Sequence, residues 1–259
     1  MSDDECRELL KKNCVEIGRL LADAVRLRDL DREWALAHVE CPALERYKER
    51  LKEGKGIVIA TGHLGSFELL GHAIGLLGHP LSAVARRFRN PRLDAWWRGM
   101  REARGNTIID RTGAFKVIAR TIASGRSVAI LFDQNVTENH AVFVPFFGKL
   151  AATTKSVALA AVREKAPVFV ASMRYKGNDS YFIDGVECDF SQHYNDDSIP
   201  LDEKVALITT RLNAEYEAMI RRFPEGWFWF HRRWKTQPSE NLRRTDPLHR
   251  PTQPAPESI

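Results

Sequence analysis

His63 and Glu68, five residues apart in Thr61-Gly62-His63-Leu64-Gly65-Ser66-Phe67-Glu68, are the residues best placed by type and spacing for acid–base chemistry. Inside one helix such a pair would diverge by about 140°, at 3.6 residues per turn. With His63 in a loop and Glu68 in the first turn of the following helix, the chain can fold back and turn the ring toward the carboxylate. The carboxylate would then hold one ring nitrogen as N–H and leave the other as a free base. Such a base can take the proton of a hydroxyl, which on its own is a poor nucleophile at neutral pH. Gly62 and Gly65 would let a substrate come close to the backbone. Two other uses of these residues stay open. Glu68 suits the first turn of a helix simply as an acid facing the helix dipole. Glu68 and His72, four apart on one helix face with His63 and His79 on either side, could instead converge as the metal ligands of a hydrolase. His72, however, falls in an apolar segment, where a core histidine is the commoner outcome.

Three further groups are candidates for binding. Arg86-Arg87-Phe88-Arg89-Asn90-Pro91-Arg92 sets four arginines in seven residues, a site for anions because guanidinium matches phosphate bidentately, or else a solvated face. Arg101 follows on the next helix. Asp133-Gln134-Asn135 closes the apolar run Ser127–Phe132, so its carboxylate sits where it can position an arginine or a substrate, or cap a loop. Trp227-Phe228-Trp229-Phe230-His231-Arg232-Arg233-Trp234-Lys235 interleaves rings with bases and fits a membrane-interface belt, a stacking platform for single-stranded nucleic acid, or a buried closing strand. No G-x-S-x-G, Walker loop or G-x-G-x-x-G is present, which argues against a nucleophile elbow and against nucleotide binding.

These side chains need a scaffold, and the hydrophobic pattern describes one. Gly56–Thr61 is a short apolar run that reads as a buried strand, with Ser66 as N-cap of the helix beginning at Phe67. Strands are expected near 81–85, 107–110, 127–132, 142–145, 168–175 and 181–187. Helices are expected near 92–103, 114–124, 154–164 and 203–223. Strands separated by helices of this length predict an α/β fold: a mostly parallel or mixed central sheet with helices on both faces. Upstream, Leu9, Leu10, Cys14, Ile17, Leu20, Leu21 and Val25 recur at three- and four-residue steps, an amphipathic helix whose apolar face could meet a core or a membrane. The expected organisation is an N-terminal helical segment over 1–55, a catalytic domain over 56–236 and a disordered, proline-containing tail over 237–259.

The chain has 259 residues, 44% of them hydrophobic, enough for a sizeable core, and a net charge of only +5. That surplus suits an acidic substrate, partner or membrane surface and is too small to suggest nucleic-acid binding. No stretch of about 18 apolar residues is present, the acidic start Met1-Ser2-Asp3-Asp4-Glu5 is unlike a secretory signal, and the four cysteines lack CxxC spacing. A soluble intracellular protein is expected.

Taken in order, these blocks resemble the late acyltransferases of lipid A biosynthesis, the lauroyl and myristoyl transferases, within the lysophospholipid acyltransferase superfamily. The resemblance is carried by Thr61–Glu68, Arg86 with Asn90-Pro91, Arg101, Asp110-Arg111, Asp133–Asn135, Val142–Phe147, Ala152–Thr154 and Trp229–Pro238. It implies transfer of a fatty acyl group from an acyl-carrier-protein or coenzyme A thioester to a hydroxyl of a glycolipid, with no bound cofactor and no metal. His63 would be the general base and Glu68 would orient and polarise its ring. The tetrahedral oxyanion would be held by N–H groups or a cation. Arg101 and Asp133 would bind substrate or organise the site, and Arg86 would contact a phosphate or the donor. The partners implied are an acyl carrier protein or coenzyme A thioester, a glycolipid acceptor and an anionic membrane surface, and the place of action is the cytoplasmic face of the inner membrane. The sequence departs from the family pattern in having no N-terminal membrane anchor ahead of Thr61, and in Ser66, where relatives commonly carry Asn.

Overall fold

The computed structural model describes residues 1–240; the polar tail expected over 237–259 lies outside them from residue 241 on. Helix α1 spans Asp3–Arg26 and opens with a capping box, Ser2 Oγ accepting from the Glu5 amide while the Glu5 carboxylate accepts from the Ser2 amide. A short helix α2 (Arg32–His38), strand β1 (Val39–Glu40) and helix α3 (Leu44–Leu51) follow. The alternating part then runs β2 (Val58–Thr61), α4 (Phe67–Leu76), β3 (Ser82–Ala85), α5 (Pro91–Arg101), β4 (Thr107–Asp110), α6 (Ala114–Ala123) and β5 (Val128–Leu131). A hairpin of β6 (Ala141–Phe146) and β7 (Lys149–Thr154) leads into α7 (Ser156–Glu164), β8 (Val168–Gly177), β9 (Ser180–Cys188), α8 (Ser191–Asn195) and the long α9 (Leu201–Arg222).

Seven strands form one sheet in the order β1-β9-β8-β2-β5-β3-β4, parallel except for the β8–β9 hairpin. This is the α/β architecture the pattern predicts, mixed rather than wholly parallel. Because side chains alternate across a strand, β2 and its preceding residue feed both faces. Val58 and Ala60 join the core under α7 and α9, with Val205, Ile208, Leu212 and Tyr216. Ile57 and Ile59 join the core under α3 and α4, with Tyr47, Leu69 and Ala73. Residues before 56 belong to this body: β1 pairs with β9, and Tyr47 is buried with its hydroxyl on Ser127 Oγ at 2.7 Å.

One expectation shifts. The helix expected from Thr154 begins at Ser156, because Thr154 still pairs with Ala141 across the β6–β7 hairpin. The apolar stripe of α1 is only partly covered: Leu10, Leu21 and Val25 are exposed and Leu9, Ile17 and Leu20 half-buried, while Asn13, Asp23 and Ala24 are buried. Among the described residues no helix is long and apolar enough to cross a membrane.

Candidate active site

Sheet topology brings the site together. The chain leaves β2 toward β3 on one side and leaves β5 toward β8 on the other, so the crevice beyond the carboxyl ends of β2 and β5 is a topological switch point, where open α/β sheets place their ligands. Thr61 pairs with Leu131 in parallel register. Two residues further along each chain stand His63 and Asp133.

Asp133 holds His63 twice. One carboxylate oxygen accepts from the His63 backbone amide at 2.8 Å, and the other lies 2.9 Å from Nδ1 of the ring. The buried indole of Trp227 donates to the same carboxylate at 2.9 Å. Burial pushes the Asp133 carboxyl up, but the His63 ring, the Trp227 N–H and the His63 amide together hold it below the usual carboxylate range. An ionised carboxylate only accepts, so the ring proton sits on Nδ1 and the lone pair on Nε2. The Gln134 amide nitrogen lies 3.2 Å from Nε2 and fits as its donor. His63 lines a cavity of about 1050 Å³, with Nε2 the ring nitrogen that Asp133 does not hold.

The backbone around this pair is tightly constrained. A Cβ on Gly62 would run into the Tyr216 hydroxyl and the Asp133 carboxyl group. Gly65 has φ +60°, and its Cβ would strike the carbonyl of Met173, with which it forms an isolated β-bridge.

Glu68 is not at the ring. The spacing argument turns His63 back toward it, but α4 carries Glu68 toward the end of α5, where Arg101 grips it bidentately, Nε at 2.9 Å and Nη2 at 2.6 Å. The ring's carboxylate partner is Asp133, 70 residues away in sequence, which the Thr61–Leu131 register brings alongside. All four side chains except Asp133 line the cavity, so His63 and the Glu68–Arg101 pair share one space.

Arg86 is exposed at the cavity's edge, and of its neighbours Arg87 is paired with Asp110 at 2.5 Å. Asn90 caps α5 through two backbone amides, with Pro91 in the first turn. The run 86–92 is thus partly structural. The metal reading gains nothing from the geometry: among the described residues no three His, Cys, Asp or Glu side chains converge as ligands. His72 is buried, and burial, aided by the Arg104 charge, pushes its pKa down to about 4. A histidine kept neutral in the fold weakens folding as pH falls below its unfolded value, near 6.5, toward 4. Unfolding measured across that window should therefore lose up to about 1.4 kcal/mol per pH unit from this residue, and His72→Phe should flatten the slope.

The aromatic-basic segment is irregular rather than a strand. Trp227 bridges to Leu64 and is buried, and the Phe228 amide donates to the His63 carbonyl at 2.9 Å. Arg233 is fully buried against the Phe146 ring, donating to the Ala152 carbonyl at 2.8 Å and to Thr153 Oγ1 at 2.6 Å. Asn135 and Thr236 exchange two hydrogen bonds, tying the end of the segment to the loop after β5. Trp229 and Phe230 remain exposed. Trp227 as a donor to the Asp133 carboxylate is a role sequence reasoning misses, because a tryptophan in an aromatic run carries no mark of a carboxylate partner.

Fold and site together define an α/β protein with an aspartate-held histidine at its switch point, opening on a large, partly apolar cavity. The chain belongs to the bacterial lipid A biosynthesis acyltransferase family, whose sequence model matches residues 1–236. It is 26% identical over 200 residues to a lipid A biosynthesis palmitoleoyltransferase of Escherichia coli K12, covering 75% of this chain and 61% of that protein. It is 27% identical over 244 residues to a lipid A biosynthesis lauroyltransferase of the same organism, covering 92% and 75%. A phosphatidylinositol mannoside acyltransferase of Mycolicibacterium smegmatis is 22% identical over 240 residues, covering 91% and 75%.

Proposed function

We propose that the protein is an O-acyltransferase that moves a fatty acyl chain from an acyl-carrier-protein or coenzyme A thioester to a hydroxyl of a glycolipid, working at the cytoplasmic face of a membrane. The observation that carries the reading is the His63–Asp133 pair, whose other ring nitrogen, Nε2, sits beside Gln134 on the cavity wall. Nε2 takes the proton of the acceptor hydroxyl as its oxygen attacks the thioester carbonyl carbon. The tetrahedral oxyanion collapses, the C–S bond breaks, and the departing thiolate recovers the proton from the imidazolium. Asp133 stabilises the imidazolium while it exists, as in other oriented histidine bases. Arg101 engages Glu68 through Nε and Nη2, which leaves its other amino group available to an oxyanion or a phosphate. Family membership supports acyl transfer to a glycolipid, and both the lipid A and the phosphatidylinositol mannoside enzymes among the relatives are named for acceptors of that kind.

The cavity supports the acyl half of this reading. Beneath α4 its wall is apolar, with Ile59, Leu70, Ile74, Leu81 and Ala129. It reaches Asn106 at the opposite ends of the strands from His63, where Asn106 is hydrogen-bonded to the Leu81 amide and the Gly71 carbonyl. From Leu81 to Ala85 is about 13 Å at 3.3 Å per residue, the depth a chain would take up along these buried apolar residues with its thioester at His63. Gly71 lines the cavity here and has room: an added Cβ would meet only the Leu81 side chain, at 3.9 Å.

The test is mass spectrometry of a glycolipid acceptor incubated with the protein and acyl thioesters of graded length. Acceptor mass should rise by one acyl group, and Gly71→Leu should shift the preference to shorter chains, lowering kcat/KM for the longest accepted donor about tenfold relative to one two carbons shorter. Thioester hydrolysis without a heavier acceptor contradicts the transferase reading; an unchanged length preference contradicts only this placement of the chain.

A further inference from the structure

Helix α1 carries a buried carboxylate that the mechanism does not use. Asp23 is 2% exposed and accepts from Ser66 Oγ at 2.6 Å and from the Tyr181 hydroxyl at 2.6 Å. Arg26, one turn on, lies 3.4 Å from the same carboxylate. Ten residues earlier, and equally buried, Asn13 donates through Nδ2 to the carbonyls of Glu225 at 2.6 Å and Trp227 at 2.7 Å. The polar groups α1 buries therefore reach the two chain segments that fix the base: the Gly62–Ser66 loop and the stretch around Trp227.

The link through Ser66 is unusual. Ser66 is the N-cap of α4, yet its side chain caps nothing. An N-cap serine ordinarily accepts from the amides of the first helical turn; here the hydroxyl donates outward to Asp23. The backbone of this loop is pinned on the same side, Ser66 N to the Met173 carbonyl and Gly65 N to the Gly226 carbonyl, both at 2.9 Å. Without Asp23, Ser66 is free to turn back onto the α4 amides, and the loop that ends three residues after His63 loses its fixed end.

We infer that α1 is part of the catalytic apparatus, with Asp23 and Asn13 as positioning residues: Asp23 acts through Ser66 on the His63 loop, and Asn13 acts through the 225–227 backbone on the Trp227 indole that holds Asp133. The activity readout of this inference rests on the acyl-transfer reading. Ser66→Ala and Asp23→Asn test the same hydrogen bond from both ends. Asp179→Ala is the control, because Asp179 ties α1 down through Arg26 at 2.5 Å and binds the Trp34 indole at 2.9 Å without touching Ser66.

Each of the two test variants should lose about tenfold in kcat with donor KM within about twofold of wild type, and the double variant should be no worse than the worse single one. Amide exchange at Gly65 and Phe228, read independently of activity, should quicken about tenfold in both. Asp179→Ala should lower Tm without either effect. The inference is overturned if folded Asp23→Asn and Ser66→Ala keep wild-type kcat and exchange, if their losses add, or if Asp179→Ala reproduces them. Should the wild-type protein transfer no acyl group, the exchange rates alone decide: acceleration confined to Asp23→Asn and Ser66→Ala upholds the clamp, and its absence overturns it.

Discussion

Asp133→Asn should lower kcat for acyl transfer on the order of 10⁴-fold, the scale seen when the acid behind a histidine base becomes an amide. Asp133 accepts three N–H groups, from the His63 amide, the His63 ring and the Trp227 indole. An asparagine has one acceptor atom, so its amino group must face N–H donors or flip and favour the wrong tautomer of the ring. The flipped orientation takes the lone pair of Nε2 away, and the other sets the amino group against the His63 amide and the Trp227 indole N–H. The variant should also lose about 1–3 kcal/mol of stability, because a buried donor is left without a partner. Trp227→Phe removes one of the three donors and leaves the ring contact, so it should cost much less activity. The pH dependence follows the same contacts. The Asp133 carboxyl is held below its ordinary value of 3.8 in the fold, so the stability it contributes is present above that value and is lost as pH falls through its folded pKa. Acid unfolding of Asp133→Asn should accordingly be less steep below about pH 4.

The sheet was legible because its inner strands are short apolar runs with little else they could be. Val58–Thr61 and Val128–Leu131 are almost wholly buried, and Thr61 is the one polar residue among those positions. The small N-terminal elements escaped for the opposite reason: α2, β1 and α3 are 7, 2 and 8 residues long, too short for periodicity to register. The site was half legible. His63 stands out by residue type and loop context, but its partner depends on which strands are neighbours, and adjacency of β2 and β5 is a long-range property. A signal was present, since His63 and Asp133 each follow an apolar strand by the same two residues. The orientation of α1 was hidden more deeply. Periodicity assumes that apolar side chains turn inward, and in α1 the buried residues are Ala24 and the hydrogen-bonded Asn13 and Asp23, while Leu21 and Val25 face outward.

The second large effect bears on the central claim, that His63 is the base that activates the acceptor hydroxyl. His63→Ala removes the imidazole that Asp133 holds and leaves the Trp227 indole on that carboxylate, the Glu68–Arg101 pair and the fold in place. General-base catalysis contributes about 10²–10⁴-fold, and the imidazolium also returns the proton to the leaving thiolate, so the loss should fall at the upper end of that range. Donor KM should change little, because the proposed mode of binding places the acyl chain and the anionic parts of the donor on other residues. The deciding measurement is the single-turnover rate of acyl transfer from thioester to glycolipid, wild type beside His63→Ala, with Tm confirming that both are folded. A fall of about 10³-fold or more with an intact fold is the result this account predicts; a folded His63→Ala protein that transfers at a rate near wild type would contradict it.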